Sequence, residues 1–130
     1  MIDHVSIQVR DLAASTVFYV RVLESLGLTL LVTRDHTVGF GKRYPEFWLN
    51  HRPQMPGAPD GTGAHVCLRA GSREAVDEFH RSALEMGGRC DGNPGERQAA
   101  MTRYYGAFIL DPDGNRIEAV TFPRPNPNDA

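Results

Sequence analysis

Apolar and polar positions alternate from Ile2 to Val9, with Val5, Ile7 and Val9 on one side and His4, Ser6 and Gln8 on the other. Period two predicts a half-buried strand. Asp11 then stands as a helix N-cap, and Leu12, Val17, Phe18, Val22, Leu23 and Leu26 fall on one helical stripe. Gly27 supplies the left-handed stop. Three short strands follow, at Leu28–Thr33, Thr37–Gly41 and Glu46–His51. The order is βαβββ.

That order returns 61 positions later. Residues 3–27 align without gaps on residues 64–88, pairing His4 with His65, Val5 with Val66, Phe18 with Phe79, Leu23 with Leu84, Glu24 with Glu85 and Gly27 with Gly88. In the second copy His65–Ala70 reads as the strand and Ser72 as the N-cap. Ala75, Val76, Phe79, Ala83, Leu84 and Met86 form the stripe, and Gly87-Gly88 ends it. Strands are expected at Gly88–Asp91, Tyr104–Leu110 and Asn115–Phe122, the last two joined by the turn Asp111-Pro112-Asp113-Gly114. The reading is an α+β chain of one domain, residues 1–130: module one over 1–51, a Pro/Gly-rich linker over 52–63, module two over 64–122, and a loose tail over 123–130.

Composition adds bounds. A chain of 130 residues with 41% hydrophobic and 23% charged positions is ordinary globular usage, and at that size roughly two-thirds of the unfolded surface is buried without help from disulfide or metal. A net charge of −2 without basic clusters argues against nucleic acid and against an anionic membrane surface. No apolar run approaches the ~20 residues of a bilayer span. No secretory leader is legible, and Cys67 and Cys90 form no C-x-x-C pair, so a reduced, cytoplasmic protein is expected.

Strand parity carries the chemistry. The faces not needed for helix packing bear His4, Ser6 and Gln8 in one copy and His65, Cys67 and Arg69 in the other, while Glu118 alternates with Ile117 and Ala119 in the last strand. A sheet covered by helices on one side and curled into a trough on the other would bring His4, His65 and Glu118 together. Two imidazoles and a carboxylate suit a divalent first-row metal with positions left open for substrate. A single histidine at a strand start is more often a surface residue, but the same position filled in both copies shifts that balance. Tyr104 and Tyr105 are candidate catalytic acids, only one of which can face the trough. Trp48 would be an aromatic wall. Arg69 and Arg103 are candidate contacts for an anionic group, and the loop Gly92–Thr102 could close over a ligand. Cys67 reads more readily as a small core residue than as a reactive thiol. Asp111-x-Asp113-x-Asn115 begins like a calcium loop but lacks its Gly and its final Glu. No G-x-S-x-G elbow or phosphate loop occurs.

The strings Asp3-His4-Val5-Ser6-Ile7, Ala64-His65-Val66 and Tyr104 through Glu118, above all Asp111-Pro112-Asp113-Gly114-Asn115-Arg116-Ile117-Glu118, resemble the vicinal oxygen chelate superfamily of glyoxalases, bleomycin-resistance proteins and extradiol dioxygenases. The resemblance implies paired βαβββ modules forming a cupped mixed sheet with helices outside, a homodimer, and a divalent metal (zinc, nickel, manganese or iron) at the positions of His4, His65 and Glu118. It further implies a small oxygen-chelating substrate and lyase, isomerase, thiol-transferase or dioxygenase chemistry. A non-catalytic, antibiotic-binding relative is the alternative. Glyoxalase I carries a fourth ligand, a Glu, where this chain has Trp48. Glu46 shares that strand's parity two residues away, about 7 Å.

Overall fold

Module one runs β1 (Val5–Val9), α1 (Leu12–Glu24), β2 (Thr29–Thr33), β3 (Thr37–Gly41) and β4 (Pro45–His51). Module two repeats the order as β5 (Val66–Arg69), α2 (Arg73–Glu85), β6 (Arg89–Gln98), β7 (Arg103–Leu110) and β8 (Arg116–Thr121). This computed structural model describes residues 1–59 and 61–123; the tail expected over 123–130 lies, beyond Pro123, outside the described residues. None of the described helices is long and apolar enough to cross a membrane.

Each module builds its own four-stranded sheet, in the orders β1-β4-β3-β2 and β5-β8-β7-β6. The pairs β1/β4 and β5/β8 are parallel and the others antiparallel. Both helices begin on the caps expected from sequence: Asp11 accepts from the Ala14 N–H and Ser72 from the Ala75 N–H, each at 3.1 Å. Gly27 and Gly87, with φ of 76° and 96°, carry the chain away from the helix ends in a conformation that a Cβ disfavours.

One continuous core serves both modules. It joins Phe18, Val22 and Leu23 of α1 and Phe47 and Leu49 of β4 to Val76, Phe79 and Ala83 of α2 and Ile109 and Ile117 of the second sheet. The helices pack against each other and each covers one face of its own sheet, α1 on β2 and β4 and α2 on β6, β7 and β8, which leaves the opposite face of each sheet open. Two stripe positions differ from the sequence reading. Val17 and Leu84 are exposed, whereas Tyr19 and Ser82 are buried. Tyrosine is tolerated there because its hydroxyl finds a partner across the module boundary.

That partner is the Asp111–Asn115 turn. Tyr19 Oη donates to Asp111 Oδ2 at 2.6 Å, Asn115 Nδ2 donates to the same oxygen, and the Asp113 and Asn115 N–H groups donate to Asp111 Oδ1. Arg10 Nε donates to Asp113 Oδ1 at 2.8 Å, and Asn115 Nδ2 also reaches the Gln8 carbonyl at 2.9 Å. The turn is thus a latch between modules. Burial is the larger influence on Asp111 and raises its pKa against these donors; burial and then Asp111 raise that of Tyr19.

The third strand of module two is longer than expected. Gly92–Gln98 continues β6 instead of forming a loop, with pairing shifts around Gly92 and Gly95. Pro94 obscured this in the sequence. It is tolerated because β6 is the edge strand and the pairing is already irregular there.

Candidate functional site

The open face of the second sheet gathers polar groups from all four strands. Cys67 and Phe108 both stand opposite Glu118, and Arg97 opposite Tyr104, so these side chains share one surface. At its centre His65 Nε2 lies 3.2 Å from Glu118 Oε1. The Glu118 side chain is only 6% exposed and that of His65 38%, so the pair sits on a floor with access from one side. The His65 ring packs on Phe108, with centroids 5.7 Å apart.

Tyr104 lies near enough to this pair for the Glu118 carboxylate to act on its phenol. Burial first, and the carboxylate second, raise its pKa, so the phenol stays protonated at neutral pH and keeps its O–H to donate. Cys67 is exposed on the same face instead of lying in the core. Partial burial of its sulfur and the adjacent Glu118 push its thiol up to about 12. Arg69 lies on this face with its guanidinium over Phe122, 5.0 Å from the ring centre.

Tyr105 points the other way, as parity requires. Its hydroxyl donates to Asp77 of α2 at 2.6 Å, which removes it from the floor. Arg103 shares the face of Tyr105: its Nη2 lies 3.3 Å from Glu96 Oε2, and Glu96 also holds Arg73 at 2.8 Å. These groups border a separate cavity of about 520 Å³ at the start of α2, whose wall Tyr104 also reaches.

His4 does not join His65 and Glu118 within the chain. The contacts of Gln8 and Arg10 with the Asp113–Asn115 turn fix the far end of β1 near the starts of β5 and β8, and His4 precedes Gln8 by four residues, about 13 Å of strand. A cavity of about 490 Å³ lies at that junction, with Gln8, His65 and Arg116 on its wall. His4 instead contacts Asp3, Nδ1 to Oδ1 at 2.7 Å. Among the described residues no three His, Cys, Asp or Glu side chains gather in a geometry able to hold a metal. One chain therefore offers two of the three donors that the sequence pattern suggested.

Trp48 is on the open face of the first sheet, opposite Ser6 and thus on the face of His4. It lies against Gly39, where an added Cβ would come within 3.0 Å of the indole, and Arg34 lies over its ring at 5.5 Å from the centroid. Arg97, beside Tyr104, is not marked by the sequence pattern, which predicts a loop over Gly92–Thr102 where the structure has β6. Its alternation with Glu96 and Gln98 was the available signal.

The family model for the glyoxalase/bleomycin resistance protein/dioxygenase superfamily matches residues 1–119. No curated protein matches the chain. Among solved structures, a glyoxalase/bleomycin resistance protein from Albidiferax ferrireducens is 33% identical, with 91% of this chain and 96% of that one covered at a TM-score of 0.79. The fosfomycin resistance protein FosX from Listeria monocytogenes is 16% identical (95% and 94% covered, TM-score 0.67), and a glyoxalase I mutant from Zea mays 21% identical (90% and 44% covered, TM-score 0.69). A FosX mutant has been solved with Mn(II) and 1S,2S-dihydroxypropylphosphonic acid. These last three likenesses speak to fold alone.

Proposed function

Because the chain belongs to the glyoxalase/bleomycin resistance protein/dioxygenase superfamily, we propose that it is a metal-dependent enzyme acting on a small oxygen-chelating substrate, with each site shared between two copies of the chain. The carrying observation is the His65–Glu118 pair, an imidazole nitrogen and a carboxylate oxygen 3.2 Å apart on a half-buried floor with one side open. Imidazole and carboxylate together fit a divalent first-row ion. The third donor, His4, sits on the other open sheet face, where a second copy brings it within reach; the site would then be His65 and Glu118 of one chain with His4 of the partner subunit.

When bound, a divalent ion polarises a chelated oxygen and stabilises negative charge developing next to it. The chain's own residues set the rest. Glu118 and the Phe108 ring hold the His65 imidazole in place. Tyr104, kept protonated, donates a hydrogen bond toward the reacting oxygen and can supply a proton there. Trp48 gives the opposite wall a flat apolar surface, and Arg69 offers charge to an anionic substrate.

Elemental analysis of native protein tests this. Wild type is expected to hold about one divalent ion per chain, and His65→Ala, Glu118→Gln and His4→Ala to lose it. Mixing unfolded-and-refolded His4→Ala with His65→Ala should restore about a quarter of the wild-type metal, since half the dimers are mixed and each mixed dimer has one intact site. No recovery would refute sharing, and unchanged metal in His65→Ala would refute the ligand set. A second reading, a small-molecule binding protein without turnover, is favoured by the incomplete donor set in a single chain. Metal-free wild type that binds aromatic ligands against Trp48 would select it.

A further inference from the structure

Arg97 is held more firmly than a surface arginine. Its guanidinium lies over the Phe108 ring at 5.4 Å from the centroid. Nη1 donates to the Gly95 carbonyl at 3.1 Å and to the Gly106 carbonyl, and Nη2 donates to the Asn93 carbonyl at 2.7 Å. Gly92 provides the space, since a Cβ there would come 3.0 Å from Nη2. Three of five N–H groups are thereby used, leaving Nε and one Nη2 hydrogen for a ligand.

Its charge has no counterpart. Arg73 and Arg103 share Glu96, and Arg116 holds Asp91 at 2.5 Å, whereas among the described residues neither Arg97 nor Arg69 has a carboxylate within 4 Å. Arg97 and Arg69 thus stand on the open face of module two without an ion-pair partner, on a chain whose net charge is −2. Carbonyl dipoles orient a cation without neutralising it. A fixed, half-buried guanidinium with free donors is built to receive an oxyanion.

We propose that Arg97 recognises an oxyanion, a carboxylate or phosphonate group, on the substrate, and seats it on the Phe108–Tyr104 side of the His65–Glu118 pair. This rests on the reading of that floor as the reaction site. It makes the substrate an anionic molecule and Arg97 a specificity residue.

The test is titration of phosphonoacetate into ¹⁵N-labelled protein, metal-stripped and zinc-loaded, with affinity from calorimetry and contact from the Arg97 Nε–H resonance. That resonance should shift with phosphonoacetate and stay still with neutral acetamide. Arg97→Met should weaken binding about tenfold or more, with Arg97→Lys between it and wild type. Arg81→Gln, on the exposed surface of α2, should bind as wild type. Separate titrations with acetate and methylphosphonate identify the preferred oxyanion. Wild-type affinity in a folded Arg97→Met, or an unmoved Nε–H signal, overturns the proposal. The metal reading fails independently: protein that takes up no zinc yet binds phosphonoacetate through Arg97 refutes the metal site and keeps the anion subsite, and the reverse result refutes the subsite alone.

Discussion

Tyr19→Phe removes one oxygen from the centre of the latch. Tyr19 is fully buried and its hydroxyl donates at 2.6 Å to Asp111, itself 2% exposed. The Asp111 carboxylate keeps three other donors in the variant, the N–H groups of Asp113 and Asn115 and the Asn115 amide, so it is weakened and not stripped. A hydrogen bond to a charged group contributes about 1.5–3 kcal/mol, which sets the expected loss near 2 kcal/mol. For a domain of this size that lowers Tm by about 6–10 °C. The loss also depends on pH. Burial raises the Asp111 pKa and the Tyr19 hydrogen bond is the foremost influence pulling it down, so the variant's folded-state value climbs further. A carboxyl with a raised folded pKa lends stability that is complete below its unfolded pKa and lost as pH rises through the folded one. The deficit of Tyr19→Phe should therefore grow from mildly acidic to neutral buffer. Urea melts at two pH values measure it. A loss under about 0.5 kcal/mol, or one equal at both, would refute the claim that this bond ties a buried ionised carboxylate to α1.

Gly39→Ala places a methyl 2.8 Å from Pro45 Cβ and 3.0 Å from the indole of Trp48, and should cost about 1–3 kcal/mol. Trp48 is the only tryptophan, so its emission spectrum reports the displacement directly; an unchanged spectrum and melt would contradict the packing. In a Cys90→Ser background, Cys67 should react with a thiol reagent at neutral pH about a thousandfold more slowly than an ordinary cysteine, because its thiol is pushed up to about 12. Glu118→Gln should speed it. Fast labelling unaffected by that change would show the carboxylate is not beside the sulfur.

The fold was legible because its signals are local and repeated: period-two strands, the Asp11 and Ser72 caps, and glycine stops at both helix ends. The parity argument also placed Glu118, His65, Cys67 and Arg69 on one surface, and it allowed only one of Tyr104 and Tyr105 there. What parity could not supply is where two modules sit relative to each other. That is decided by the Asp113–Asn115 contacts with Arg10 and Gln8, between residues about a hundred positions apart, and they separate His4 from His65 in the chain. In the Asp111–Glu118 string that carries the family resemblance, the two aspartates accept hydrogen bonds from the neighbouring module, while Glu118 belongs to the floor. Arg97 escaped notice because Pro94 reads as a breaker, which an irregular edge strand absorbs.

The latch has a bearing on cooperativity. Each βαβββ unit is near the size at which a lone core is marginal, and the buried side chains of both form a single cluster closed by the Asp111 carboxylate. The strand carrying Glu118 starts directly after that turn, so whatever loosens α1 from it also shifts the carboxylate. Melting and loss of the floor are then one all-or-none event, with no half-molecule left to carry on alone.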